Sequence, residues 1–338
     1  MANFTIGVDL GGTNLRAAAV DEHGQLLEKI TLGTQVSLGR DRVIHDMCDA
    51  IQQLAQKHTA SSKLLGIGVG VPGIIDMETG MVREAVNLPG WVGFPVHAEI
   101  EKRLRAPVVL ENDGRAATLG EKWSGAARDV DDMAMLTLGT GVGGGLVLGG
   151  KLWYGRNGMA GEFGHCTVEP DGCPCPCGNR GCLEQYASAT AIVRMAREAI
   201  AAGGTGALEA AAKEGDFSSR TIYDLAMQGN EQAIAVFGKV GRALGIVLAS
   251  LVNGLNLPMY VIGGGAASAW DAFAPSMFEK LRVRSLVYAA NAPVQTEIAD
   301  AEAIQGRKTI ITRALLGSDA GLYGAARLPM MEKSSPPA

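Results

Sequence analysis

The stretch EFGHCTVEPDGCPCPCGNRGCLEQY, residues 162–186, packs thiols, an imidazole and carboxylates among turn-forming residues. His165, Cys175, Cys177 and Cys182 offer one imidazole and three potential thiolates, a Cys₃His set able to fill a tetrahedral zinc site. Pro174, Pro176, Gly178 and Gly181 shape a tight loop around them. Four protein ligands leave no open position, which points to structural rather than catalytic Zn²⁺. Disulfides are the competing reading. A reducing compartment disfavours them, and Cys175 and Cys177 are too close in sequence to pair easily. Cys173 is a spare thiol that could substitute as a ligand, whereas Cys48 and Cys166 read as inert.

Phosphate chemistry is suggested by three glycine turns, each following an apolar run: DLGGTN (9–14), LGTGVGG (138–144) and IGGGAA (262–267). Glycine after a strand lets backbone N–H groups approach phosphate oxygens, and the Thr13 and Thr140 hydroxyls add donors. The candidate nucleotide contacts are Gly11, Gly12, Thr13 and Asn14, then Gly139, Thr140 and Gly141, then Gly263, Gly264 and Gly265. Asp9 points a carboxylate into the first loop. Beside a triphosphate that arrangement needs a cation between the two charges, and Mg²⁺ held partly through water is the natural choice. The plainer role for Asp9 is to cap a turn.

Two other glycine motifs fit poorly. A P-loop needs Lys followed by Ser or Thr, and neither Lys151 nor Lys239 is so followed. The G-x-G-x-x-G spacing occurs at Gly68, Gly70 and Gly73 and at Gly139, Gly141 and Gly144. The residues after each set read as strand and hairpin instead of the helix a dinucleotide would need.

These residues must be positioned by elements, and the patterning suggests which. FTIGVDL, LRAAAVD and LLEKITL, separated by GGTN and EHGQ, read as three strands. MAMLTLG, GLVLG and GKLWYG repeat the plan from residue 133, implying an internal duplication and two related α/β halves with a cleft between them. Residues 42–57 carry apolar side chains at 43, 44, 47, 51 and 54, the spacing of one helical face. Residues 64–73 and 106–112 read as buried strands, and Asp113 stands at a helix start. Helices are predicted over 187–202, 230–253 and 310–327, and residues 201–215 read as a surface insertion. The smaller lobe is expected to hold residues 1–115 plus a C-terminal helix at about 305–328. The larger lobe would hold 116–304 with the zinc loop, and 329–338 would be a disordered tail.

Composition narrows the function classes. Thirty basic against thirty-five acidic residues, with no dense Lys/Arg cluster, leave no electrostatic footprint for nucleic acid. The N-terminus has no secretory pattern and no uninterrupted apolar run reaches spanning length, so a cytoplasmic protein without a membrane partner is expected.

Taken together, DLGGTN, GVPG (70–73), NLPGW (87–91), END (111–113), LGTGVGGG, EFGH (162–165), CPCGNRGCLE (175–184), VIGGG and DAGLYGAA (319–326) resemble the ROK family of sugar kinases and repressors. The resemblance runs in order from about residue 5 to 326. It implies a two-lobed actin-like (ribonuclease H-like) ATPase fold built from the duplicated β-hairpin/α unit, usually as a homodimer. It further implies ATP with Mg²⁺ as donor and phosphorylation of a hexose, usually at the 6-hydroxyl, with glucose favoured. N-acetylglucosamine and N-acetylmannosamine are the nearest alternatives, and a non-catalytic sugar sensor is a further one. By motif, Asp113 corresponds to the catalytic base, Asn112 shares the grip on the sugar, and Glu162, His165 and Glu184 hold other hydroxyls, with Gly73 and Asn87 lining the pocket. His165 would then serve zinc with one nitrogen and sugar with the other. The family's repressors resemble this sequence plus a helix-turn-helix domain, and with the first hairpin so early in the sequence such a domain is not expected here.

Overall fold

The structure, a computed structural model, describes residues 2–59, 62–76, 78–84, 88–203, 206–215, 217–293 and 307–331. The first predicted hairpins form as an antiparallel meander: β1 (Ala2–Leu10), β2 (Asn14–Asp21) and β3 (Leu26–Gly33). β4 (Ser62–Val71) adds to β1 in parallel and β7 (Val108–Asn112) adds to β4, giving the order β3-β2-β1-β4-β7. A separate small hairpin pairs β5 (Ile74–Ile75) with β6 (Val82–Glu84). Alternation along β1 decides which face goes where. Phe4, Ile6, Val8 and Leu10 meet helix α1 (Arg40–His58) and α2 (Val96–Leu104) in one continuous core. α1 buries Val43, Ile44, Met47, Ile51 and Leu54, the predicted face, together with Cys48 and Ala50. Burial pushes the Cys48 thiol up to about 11, in keeping with an inert side chain.

The other face of this sheet carries Ala18 and Val20 and receives Leu322 and Ala326 of α11 (Ala320–Arg327), which also packs on α3 (Asp113–Ser124). Contact here is backbone to backbone. A Cβ on Gly7 would lie 2.5 Å from the Ala326 nitrogen, one on Gly120 would lie 3.0 Å from the Gly324 nitrogen, and one on Gly324 would lie 2.9 Å from the Gly120 nitrogen. The small residues of DAGLYGAA are therefore a packing requirement. Gly120→Ala is expected to cost about 2 kcal/mol through overpacking. Calorimetry should show this as a loss of roughly 4–8 °C in the affected transition; an unchanged transition would mean that the helices separate freely.

The second sheet repeats the first. β8 (Met133–Leu138), β9 (Val142–Leu148) and β10 (Lys151–Leu152) form the antiparallel part, and β11 (Met259–Gly263) and β12 (Ile310–Arg313) extend it in parallel in the order β10-β9-β8-β11-β12. Two five-stranded sheets of one plan bear out the duplication. The helices here are α4 (Glu184–Ala187), α5 (Ala189–Ala201), α6 (Ala207–Lys213), α7 (Ser219–Met227), α8 (Glu231–Leu255), α9 (Trp270–Arg284) and α10 (Leu286–Asn291). α8 begins one residue after the expected start, with Asn230 as its cap, and its last residue, Leu255, lies two beyond the expected end, followed by Asn256 in the left-handed region. It is apolar and long enough to cross a bilayer, yet it buries Val236, Phe237, Val240, Leu244 and Leu248 and packs along α9 through Gly241 and Gly245.

Several sequence expectations need correction. Residues 310–327 are not one helix, because Ile310, Ile311 and Thr312 are buried as a strand beside Met259, Tyr260 and Val261, and Gly317 at φ +56° turns the chain before α11. Buried parallel strands are apolar without alternation, which makes them look like buried helix. The predicted helix over 187–202 is interrupted at Ser188, whose hydroxyl accepts from the Ala191 nitrogen and caps α5. Within 201–215, Ala207–Lys213 is helical, burying only Leu208. Packed chain also runs past 328: Leu328 is buried in a 3₁₀ turn to Met330, and a Cβ on Gly66 would lie 2.6 Å from Pro329.

By internal packing the chain divides into two compact units, Met1–Asp131 with Gly145–Gly161 and Ser318–Ala338, and Asp132–Gly144 with Glu162–Gly317.

Candidate active site and metal-ligand cluster

In the first unit the candidate residues collect where the parallel strands end. Register places Asp9, Gly70 and Glu111 in one row across β1, β4 and β7. The next residues of those strands lead to the Gly11–Thr13 turn, to Gly73 at φ +104° and to Asn112–Asp113. Such an edge is where ligands of open α/β sheets bind. Gly12 and Thr13 are exposed, and the turn is held from behind: Gly11 N donates to Asn14 O at 2.8 Å, Thr34 Oγ1 to Gly11 O at 2.7 Å, and Thr34 N to Thr13 O at 2.8 Å.

Asp9 is paired across the hairpin with Arg16, whose Nη1 lies 3.2 Å from Asp9 Oδ2 and also donates to Ser318 O at 3.2 Å. Burial pushes the Asp9 carboxyl above the usual range, and the Arg16 charge opposes it. Sequence reasoning missed Arg16. Its signal was the hairpin register, since a turn at Gly11–Thr13 makes Asp9 and Arg16 cross-strand neighbours.

The helix cap falls one residue before Asp113. Asn112 Oδ1 accepts from Arg115 N at 3.1 Å, while its Nδ2 donates to Gly73 O at 3.0 Å and to Asp113 Oδ1 at 3.1 Å. Asp113, half-buried, begins α3, and its Oδ1 also accepts from Gly114 N at 2.9 Å. A carboxylate there is favoured by the helix dipole. Asp9, Gly11, Gly12, Thr13, Asn14, Gly73, Asn112 and Asp113 thus share one strand edge. Asn87 lies outside the described residues.

In the second unit the Val142 peptide is a hub. Val142 N donates to Glu184 Oε2 at 2.9 Å, and Gly164 lies so close that a Cβ would be 3.0 Å from the Val142 carbonyl carbon. Gly141 has no room for a side chain, because a Cβ would collide with the Glu184 carboxylate. The loop Gly139–Gly141 is fixed further by Gly139 N to Gly141 O at 2.9 Å, by Ala189 N to Gly139 O at 2.8 Å and by Thr190 Oγ1 to Thr140 O at 2.8 Å. The third glycine turn abuts it: Gly264 has φ +85°, and a Cβ there would lie 2.5 Å from Leu138 O. Gly264 therefore abuts Leu138, the residue before the Gly139–Gly141 loop. Exposed Glu162 immediately precedes the short 3₁₀ turn Phe163–His165, and its side chain makes no capping hydrogen bond.

His165, Cys175, Cys177 and Cys182 come together with all their candidate ligand atoms within 4.8 Å of one another. Cys177 Sγ and Cys182 Sγ are 3.7 Å apart, as are Cys175 Sγ and His165 Nδ1. Metal–sulfur bonds of about 2.3 Å give a tetrahedral site sulfur–sulfur edges of about 3.8 Å, so the donors fit a four-coordinate ion. The loop is tied by Cys175 N to Asn179 O at 2.8 Å, Gly178 N to Cys175 O at 3.0 Å and Gly181 N to Cys173 O at 2.8 Å. Asn179 Nδ2 donates to Cys182 Sγ at 3.4 Å and Gln185 Nε2 to Cys175 Sγ at 3.8 Å, two sulfur partners that spacing alone does not reveal. Burial raises the Cys175 thiol and pushes Cys182 up to about 12, whereas the Asn179 backbone N–H lowers Cys177.

This pairing of fold and motifs has known counterparts. The ROK family profile matches residues 5–331, and the chain belongs to the ROK family. A glucokinase of Halalkalibacterium halodurans is 37% identical over 98% of this chain and 96% of its own length. An N-acetylmannosamine kinase of Escherichia coli is 31% identical over 97% and 99%. The crystal structure of a ROK family glucokinase from Streptomyces griseus in complex with glucose and AMPPNP aligns with a TM-score of 0.77 at 33% identity, covering 96% of this chain and 98% of that one. The fold is the actin-like ATPase fold that the motifs implied.

Proposed function

We propose that this protein is an ATP-dependent hexose kinase that phosphorylates glucose at the 6-hydroxyl, with Asp113 as general base. The observation that carries the reading is Asp113 at the strand edge that also bears the Gly11–Thr13 turn, with one carboxylate oxygen fixed by the Asn112 amide and Gly114 N. Phosphoryl transfer depends on positioning and charge stabilisation more than on covalent chemistry, and that fixation supplies positioning. Asp113 takes the proton as the sugar oxygen bonds to phosphorus. Its low intrinsic pKa suffices because the hydroxyl acidifies in the transition state. Asn112, Gly73, Asn87, Glu162, His165 and Glu184 hold the sugar, and the three glycine turns hold the nucleotide phosphates. Asp9 would carry Mg²⁺, which supplies charge neutralisation to the phosphates.

Zn²⁺ fits the Cys₃His donors and would be held by His165 through Nδ1 and by Cys175, Cys177 and Cys182. It would supply no reaction step, only a fixed loop: Glu184 follows Cys182 by two residues, and His165 leaves its other ring nitrogen to the sugar. Buried thiols resist ionisation, and a divalent cation among them reverses that resistance.

Identity of 37% to a glucokinase against 31% to an N-acetylmannosamine kinase favours glucose. The test is ADP release in a coupled assay over glucose, mannose, N-acetylglucosamine and N-acetylmannosamine. Glucose is expected to give the highest kcat/KM, by about tenfold or more over the N-acetyl sugars. Uniform absence of turnover removes the kinase reading, and preference for an N-acetyl sugar moves it to the rival substrate.

A further inference from the structure

Beneath the proposed base lies a charge pair that takes no part in the proton transfer. Glu111 and Arg115 bury their side chains to 1% and 3% exposure, with Arg115 Nε donating to Glu111 Oε1 at 2.7 Å. The same Oε1 accepts from Asn112 N at 2.8 Å, and Arg115 N donates to Asn112 Oδ1 at 3.1 Å. The Glu111 side chain therefore holds the residue immediately before Asp113 and the Arg115 guanidinium holds Glu111, while the Arg115 contact to Asn112 is a main-chain one. Arg115 reaches further: Nη1 donates to Gly158 O at 2.8 Å, and its guanidinium carbon sits 5.6 Å from the centre of the Tyr154 ring. Gly158 stands four residues before Glu162 in the chain. Burial, and then the Glu111 charge, push the Tyr154 hydroxyl far above its usual range, so it stays neutral.

Stability does not explain such a pair. Taking both charges out of water costs about as much as their attraction returns, and an apolar pair of similar volume commonly serves as well or better. An apolar pair cannot, however, accept the Asn112 N–H or donate to the Gly158 carbonyl. We infer that Glu111 and Arg115 are positioning residues, a clamp that sets the Asn112–Asp113 corner against the Tyr154–Gly158 segment and thereby the aim of the base.

This rests on the kinase reading, and the test separates the two. In the double variant Glu111→Leu/Arg115→Met, kcat for glucose is expected to fall on the order of a hundredfold, as sub-ångström to ångström misplacement does. KM for ATP and for glucose should stay within about threefold, and some stability is expected to be lost because the Asn112 N–H and the Gly158 carbonyl lose their partners. A merely structural pair would leave the kcat of the folded fraction unchanged, which overturns the clamp. Hydrogen exchange is the readout independent of turnover: amides of residues 108–116 are expected to exchange at least about tenfold faster in the variant, with those of Arg40–His58 unchanged. Unaltered exchange at the corner overturns the clamp even if the wild type proves to phosphorylate no sugar. Should the double variant not fold, Arg115→Lys keeps the charge but cannot make both guanidinium contacts. A kcat equal to wild type in that variant also overturns the proposal, and a selective fall in kcat supports it.

Discussion

Asp113→Asn is expected to lower kcat about a thousandfold while leaving KM for glucose and ATP within about threefold, since a positioned base contributes roughly 10²–10⁴. The substitution is sharp because little else changes. An asparagine oxygen can still accept from Gly114 N, and the Asn112 cap on Arg115 N does not involve the Asp113 side chain. The helix start should survive, so the fall in turnover tests the proposed proton removal. Steady-state kinetics with matched circular dichroism spectra check this. Turnover within a factor of a few of wild type would show that Asp113 is not the base.

Purified protein is expected to contain one zinc per chain by elemental analysis, and Cys182→Ser is expected to abolish it. Cys182 is fully buried and contacts both Cys177 Sγ and the Asn179 amide, so its loss opens the site from inside. A loss of about 3 kcal/mol would lower the thermal transition by roughly 6–12 °C. The kcat/KM for glucose should fall ten- to a hundredfold, as changes around metal ligands commonly cause. Cys173→Ser is the control. Cys173 stands outside the four-ligand group, with its sulfur 4.0 Å from Gln185 Oε1, so zinc content should not change. Less than half an equivalent of zinc in undamaged wild-type protein would defeat the assignment.

How much could be read before the fold was known depends on the range of the interactions. The meander of β1 to β3, the face of α1 and the start of α8 depend on neighbours within a few residues, and each formed where local pattern placed it. The four donors His165, Cys175, Cys177 and Cys182 were legible because a short loop forces them together. Ile310–Arg313 was misread because its pairing with Met259–Ile262 spans some fifty residues and leaves no alternation to see. The Glu111–Arg115 pair was passed over for a different reason. Its i,i+4 spacing resembles an ordinary solvated ion pair, and only burial between strand and helix distinguishes it.

The backbone-close seating of α11 on Gly7, Gly68 and Gly120 also bears on how the chain is made. Those glycines leave the ribosome early, whereas Ala320–Arg327 comes after roughly two hundred further residues. At about 5–20 residues per second, the opposite face of the first sheet waits for something like ten to forty seconds without its cover. The intervening residues that build the second sheet are complete before then. Vectorial synthesis therefore favours the inserted half maturing first, with the half that begins the polypeptide closing last, and leaves chaperones a defined bare surface to shield in the interval.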